Sequence, residues 1–255
     1  MAHITISATP QILGKRAGKL AAQLIKAAIS ERGEAFVILA TGTSQFETLS
    51  TLIQDREIDW SAVTLFHLDE YIGLAEQHPA SFRKYLKERV LANISKPKAV
   101  YLIDGEQDPE AMIAELSKAI ANISIDVALV GIGENGHLAF NDPPANFDAT
   151  EPFLVVDLDE ACRAQQCNEG WFANSGEVPR QAISMSIRQI LKSRYIICSV
   201  PDHRKAQAVK DSLEQPVSNH HPASILQTHA NTHFFFDQAS AALLSARSVQ
   251  GATYY

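Results

Sequence analysis

The chain has 255 residues, with 22 basic against 29 acidic side chains and a formal net charge of −7. Scattered bases in a net negative field disfavour non-specific nucleic-acid binding, which depends on neutralising phosphates, while leaving room for a small anion held by a few local cations. No apolar run approaches the roughly 18 residues that span a bilayer, MAHITISATP lacks the features of a secretory leader, and Cys162, Cys167 and Cys198 suit a reduced compartment, so the expectation is a cytoplasmic protein without membrane or nucleic-acid partners.

Short apolar runs alternate with amphipathic stretches along the chain. The pattern predicts strands at 3–7, 35–40, 62–68, 99–103, 126–132, 153–158, 182–186, 194–200 and 232–237, and helices at 9–31, 44–55, 80–92, 108–123, 202–213 and 237–247. Several runs are rich in Val, Ile and Phe without strict alternation, as strands covered on both faces require. Strand–helix–strand repetition argues for parallel pairing with right-handed crossovers. The expected fold class is α/β, a doubly wound, mostly parallel, Rossmann-like sheet with flanking helices and a small lid. No linker, repeat or low-complexity segment divides it, so residues 1–255 are read as one domain, with 248–255 as a loose tail.

In such sheets ligands bind beyond the carboxyl ends of the strands. After AFVILA comes TGTSQ, where Thr41, Gly42, Thr43 and Ser44 could cradle a phosphate through backbone N–H groups at a helix start. A plain N-cap is the commoner role for such hydroxyls. After AVTLFHL stand Asp69 and Glu70, whose side chains point to opposite sides of a strand, so that one can enter a cleft. Most acidic pairs of this kind are ordinary turns. After DVALVGI comes GIGENGHLAFNDPP, in which His137 follows three glycines and has Asn135 and Asp142 near enough in sequence to orient it. A lone histidine is more often structural; one held this way can pass protons near neutral pH. Arg163, in ACRAQQCNEGWF, and Lys205, after IICSVPDH, are each ordinary surface charges taken alone, but with the TGTS turn they would make a phosphate clamp. The C-x4-C spacing of Cys162 and Cys167 has no second pair, and no metal is expected.

Taken in order, TGTSQ, HLDEYIGL, HPASF, GIGENGHLAFNDP, ACR, VPDHRKA and PASILQTH resemble the glucosamine-6-phosphate deaminase (isomerase) family, whose fold is shared with 6-phosphogluconolactonases. The resemblance runs from about residue 9 to 247. It implies an enzyme that converts glucosamine 6-phosphate, or its galacto epimer, to a ketose 6-phosphate and ammonia without cofactor or metal. By resemblance Asp69 carries a proton between C1 and C2 of the open-chain sugar, and His137 opens the pyranose ring. Asn135 and Asp142 orient His137. Thr41, Gly42, Thr43, Ser44, Arg163 and Lys205 hold phosphate, while Glu70 and Tyr71 give structural support.

The chain departs from the family pattern in places. Thr43-Ser44-Gln45 stands where many relatives have Ser or Gly followed by Thr-Pro, Asp142 stands where Glu is usual, and 165–179 reads as an insertion-like stretch that could alter the sugar pocket or the lid. No basic residue follows the catalytic loop in ANFDATEPFLVV, so activation by an acetylated amino-sugar phosphate is not expected. The alternatives are a lactonase-like hydrolase or other sugar-phosphate isomerase, and a sugar-phosphate sensor without catalysis. LAFNDP in place of Thr-Ala-Ser-Leu-Phe-Pro speaks against the lactonase branch, and an intact Asp69 and His137 against the sensor. The pattern leaves the epimer and any homo-oligomer open.

Overall fold

The computed structural model describes residues 3–255, so Met1 and Ala2 of the segment read for a leader lie outside it. The chain opens with β1 (His3–Ser7) and α1 (Pro10–Arg32). Thr9 starts the helix by accepting from the Ile12 N–H, Pro10 occupies its first turn, and Gly33 ends it in the left-handed region with its N–H on the Ile29 carbonyl. These are the start and stop devices that orphaned helix-end groups require. Next come β2 (Ala35–Leu39), α2 (Phe46–Gln54), β3 (Val63–His67), β4 (Asp69–Tyr71), α3 (Phe82–Arg89), β5 (Ala99–Tyr101), α4 (Pro109–Ile120) and β6 (Val127–Val130). The second half holds β7 (Phe153–Asp157), α5 (Glu160–Asn168), β8 (Gln181–Met185), α6 (Ile187–Leu191), β9 (Tyr195–Val200), α7 (Ala206–Glu214), β10 (Thr232–Asp237) and β11 (Thr253–Tyr254).

Eight strands form a parallel sheet in the order β11-β1-β10-β9-β6-β2-β3-β5. Alternate residues of its central strands serve two cores. Val37, Leu39, Leu65, Leu129, Ile197 and Phe235 pack with α1, α2 and α3 on one face. Ile38, Phe66, Val130, Ile196, Phe234 and Phe236 pack with α4, α6 and α7 on the other. Burial on both faces is why these strands read as unbroken apolar runs. Among the described residues, no helix is long and apolar enough to cross a membrane.

A second, three-stranded antiparallel sheet, β4-β8-β7, stands beside the first. Leu68 is the transfer point between them. Its N–H bonds the Leu39 carbonyl of the large sheet (3.2 Å), while its own carbonyl takes the Met185 N–H of the small one (2.9 Å). The runs 153–158 and 182–186 are therefore strands as expected, but they build this smaller sheet.

Two further expectations are corrected, at 237–247 and at the tail, and one helix stands where none was expected. The stretch 237–247 forms turns, because Asp237 accepts from the Ser240 N–H (2.7 Å) and the Ser240 hydroxyl returns to the Asp237 carbonyl (3.3 Å), a local alternative to helical bonding. The polar segment 160–168 is a helix, started by Asp159 accepting from Cys162 N–H at 2.6 Å. The tail 248–255 is tied down: β11 pairs with β1, Tyr255 exchanges backbone bonds with Ile6 and Ala8, and its ring lies under the Arg16 guanidinium at 3.4 Å.

Candidate active site

The cleft lies beyond the carboxyl ends of β2, β3, β6 and β9, where α5 closes over them. It is a cleft open to solvent rather than an enclosed cavity. Thr41, Gly42, Thr43 and Ser44 border one end, with Lys205 beside them. Asp69, His137, Ala139 and Phe140 line the other parts, and Gln165, Gln166 and Glu169 face in from α5 and its C-cap.

Asp69 is buried where the chain changes sheets, and burial, reinforced by the adjacent Glu70 carboxylate, pushes its carboxyl up to about 8. Glu70 turns the other way, to the start of α3. There it accepts from the Tyr71, Phe82 and Arg83 N–H groups and the Ser81 hydroxyl, with Arg83 Nε 3.7 Å away. Burial raises the Glu70 carboxyl, and these donors oppose the rise. Two adjacent carboxylates thus have opposite surroundings: among the described residues one has no hydrogen-bond donor in its cleft, and the other has four.

His137 Nδ1 lies 3.0 Å from Asp142 Oδ1. A carboxylate can only accept, so Nδ1 carries the proton and Nε2 is left for the cleft. Burial works to raise the Asp142 carboxyl, but hydrogen bonds from His137, Asn135 Nδ2 (2.9 Å) and the Asp159 N–H (3.0 Å) outweigh it and hold it below its ordinary value. Asn135 makes no hydrogen bond to the His137 ring. Its amide grips Asp142 and Asp159 (3.1 Å), and its oxygen accepts the His137 N–H (3.1 Å). It orients the histidine through backbone and carboxylate. Gly133 is needed here, because a Cβ on it would stand 2.3 Å from the imidazole. Ala139 adopts φ 54° at the cleft wall, a left-handed conformation costly for a residue with a side chain.

His137, Asp142 and Cys162 place potential ligand atoms within 4.8 Å of one another. They make a poor metal set. Nδ1 is committed to Asp142, and burial, with the carboxylates of Asp142 and Asp159, drives the Cys162 thiol far up, so it stays protonated.

Lys205 is buried beside the Thr41–Ser44 turn, and burial lowers its ammonium from the ordinary value while Glu169 and Glu134 oppose the fall. Arg163 is a correction. It does not line the cleft, and its guanidinium donates to the Ser175 carbonyl. The reason is helical phase. Cys162, Gln165, Gln166 and Glu169 make the inward stripe, and Arg163 stands about 100° round from Cys162. Residue patterns alone missed the α5 side chains, because an inward stripe of polar residues carries no hydrophobic periodicity.

Residues 8–235 match the family described as glucosamine-6-phosphate isomerases/6-phosphogluconolactonase. The chain belongs to this family. Among its relatives, a glucosamine-6-phosphate deaminase of Exiguobacterium sibiricum is 35% identical over 224 residues, 88% of this chain and 87% of that one. A glucosamine-6-phosphate deaminase of a Geobacillus species is 36% identical, covering 88% and 90%. A solved monomeric glucosamine-6-phosphate deaminase superposes with a TM-score of 0.85 at 31% identity, covering 95% of this chain and 100% of that one. The 6-phosphogluconolactonase of Trypanosoma brucei reaches a TM-score of 0.77 over 96% and 99% of the two chains, at 19% identity, and shares the fold. The parallel sheet with flanking helices is thus the family fold that the motifs implied.

Proposed function

We propose that the chain is an amino-sugar-phosphate deaminase, converting glucosamine 6-phosphate or its galacto epimer to the ketose 6-phosphate and ammonia. The observation that carries this reading is the pairing, in one cleft, of the donor-free carboxyl of Asp69 with an imidazole whose tautomer Asp142 dictates. His137 Nε2 takes the proton of the anomeric hydroxyl and returns it to the ring oxygen, which opens the pyranose. Asp69 removes the C2 proton and delivers it to C1, a transfer that one carboxylate can make between adjacent carbons. The resulting C2 imine takes up water, and ammonia leaves as the C2 carbonyl forms. The Thr41–Ser44 turn and Lys205 receive the phosphate end, whose binding fixes the pose of the reacting carbons.

The names and identities of the deaminase relatives support this reading. The test is ammonia release by purified protein from glucosamine 6-phosphate and galactosamine 6-phosphate, with Asp69→Asn as the blank. Release that vanishes in the blank is the expected result and names the epimer. Silence with both sugars, beside hydrolysis of a sugar lactone phosphate, would replace this reading by the lactonase one.

A further inference from the structure

The phosphate end of the cleft already holds an anion of its own. The Glu169 side chain is only 6% exposed, and its Oε1 lies 3.6 Å from Lys205 Nζ. Its oxygens also take hydrogen bonds from the Thr43 hydroxyl (3.2 Å), Gln165 Nε2 (2.8 Å) and Trp171 Nε1 (3.3 Å). Thr43 and Lys205 are two of the groups that would receive a phosphate, and both are engaged by this carboxylate. A second acid stands nearby: Glu134 Oε1 is 4.0 Å from Lys205 Nζ and 3.7 Å from Arg204. Arg204 is itself bonded to Asp202 by Nε (3.1 Å) and Nη2 (2.8 Å). Arg163, the other expected cation, is turned to Ser175. Lys205 is therefore the one cation lining the cleft among the described residues, and it is balanced before any ligand arrives.

A dianion entering here meets a like charge at hydrogen-bonding range, against side chains only 5% and 6% exposed, so solvent screens the repulsion only in part. A hydroxyl meets no such penalty, and it can donate to the carboxylate or accept from Lys205. We infer that Glu169 sets the choice at this end of the cleft, so that an amino sugar ending in a neutral hydroxyl is accepted nearly as well as one ending in phosphate. The inference rests on the deaminase reading for the class of substrate. The added activity is deamination of the unphosphorylated amino sugar: the C2–H and C2–N bonds break, C1–H and C2=O form, one water is consumed and one ammonia leaves. No oxidant or reductant is needed.

The test is calorimetric titration with 2-amino-2-deoxyglucitol and its 6-phosphate, open-chain ligands that lack the C1 carbonyl and cannot turn over. The phosphate should improve Kd by less than about tenfold in the wild-type protein. In Glu169→Gln, which keeps the side-chain shape and removes the charge, the gain should exceed roughly a hundredfold, through tighter binding of the phosphorylated ligand. Glu134→Gln should shift the same ratio in the same direction by about threefold, and serves if the first variant does not fold. A wild-type gain above about tenfold, or no rise in the folded variants, overturns the inference. Ammonia assays with both sugars run alongside: binding as expected without ammonia from either would overturn the deaminase reading and leave the charge balance standing.

Discussion

The two ends of the cleft treat a buried carboxylate in opposite ways. Glu169 is surrounded by donors and a lysine, so its charge is compensated and fixed. Asp69 has burial and a like-charged neighbour, which favour the protonated form. The contrast teaches that burial by itself does not give a carboxyl its task; the donors around it do. Asp69 keeps its oxygens free to exchange a proton with a ligand, whereas the Glu169 oxygens are taken up by Thr43, Gln165, Trp171 and Lys205 among the described residues.

Asp69→Asn should break this contrast most severely, lowering turnover by roughly 10³-fold or more while binding of the open-chain ligands persists. Single-turnover kinetics beside calorimetry would check it, and retained activity would remove Asp69 from the proton transfer. Asp142→Asn should follow at about 10²–10⁴-fold, because an amide can bond the wrong imidazole tautomer. Its expected mark is lost kcat with little change in KM, since the histidine stays in place but turns its proton the wrong way.

Arg83→Met tests the support behind the pair. Arg83 is buried against Glu70, Asp104 and Glu106, and removing it leaves Glu70 without its cation. Breaking such a pair costs about 3–5 kcal/mol, measurable as a lower denaturant midpoint. An unchanged midpoint would show that backbone donors alone hold Glu70.

The mildest probe is pH. With Asp69 pushed up to about 8, the base form grows as pH rises, so kcat/KM should climb about tenfold per unit below that value and level off above it. The stability sign runs the other way. The unfolded carboxyl ionises near its ordinary 3.8 and the folded one near 8, so the folded state binds the extra proton between these values and stability falls as pH rises through that window. Asp69→Asn should flatten the activity profile and remove the Asp69 share of the stability slope, leaving that of Glu70, whose carboxyl is also raised, to about 7.

Much of this site was legible along the chain. Thr41–Ser44, Asp69 and His137 each follow a strand that betrays itself by an unbroken apolar run, and the carboxyl ends of such strands are where a parallel sheet gathers ligands. The partners Asn135 and Asp142 lie within a few positions of His137, so proximity in sequence was enough to name them, although the route by which Asn135 acts was not. The α5 contribution was hidden for the converse reason. Gln165, Gln166 and Glu169 are polar, and a polar stripe facing a polar cleft looks like any solvated face.

The sequence by itself determined the parallel sheet, its two helical layers and the strand ends that carry chemistry, because burial on both faces writes a pattern that local physics can read. Only the tertiary structure decided that the chain leaves the large sheet at Leu68 to bury Asp69, that the tail pairs with β1, and that Glu169 rather than Arg163 faces Lys205. Strand partners distant in sequence and the phase of a polar helix leave no local pattern; they are settled by what the rest of the fold packs against them.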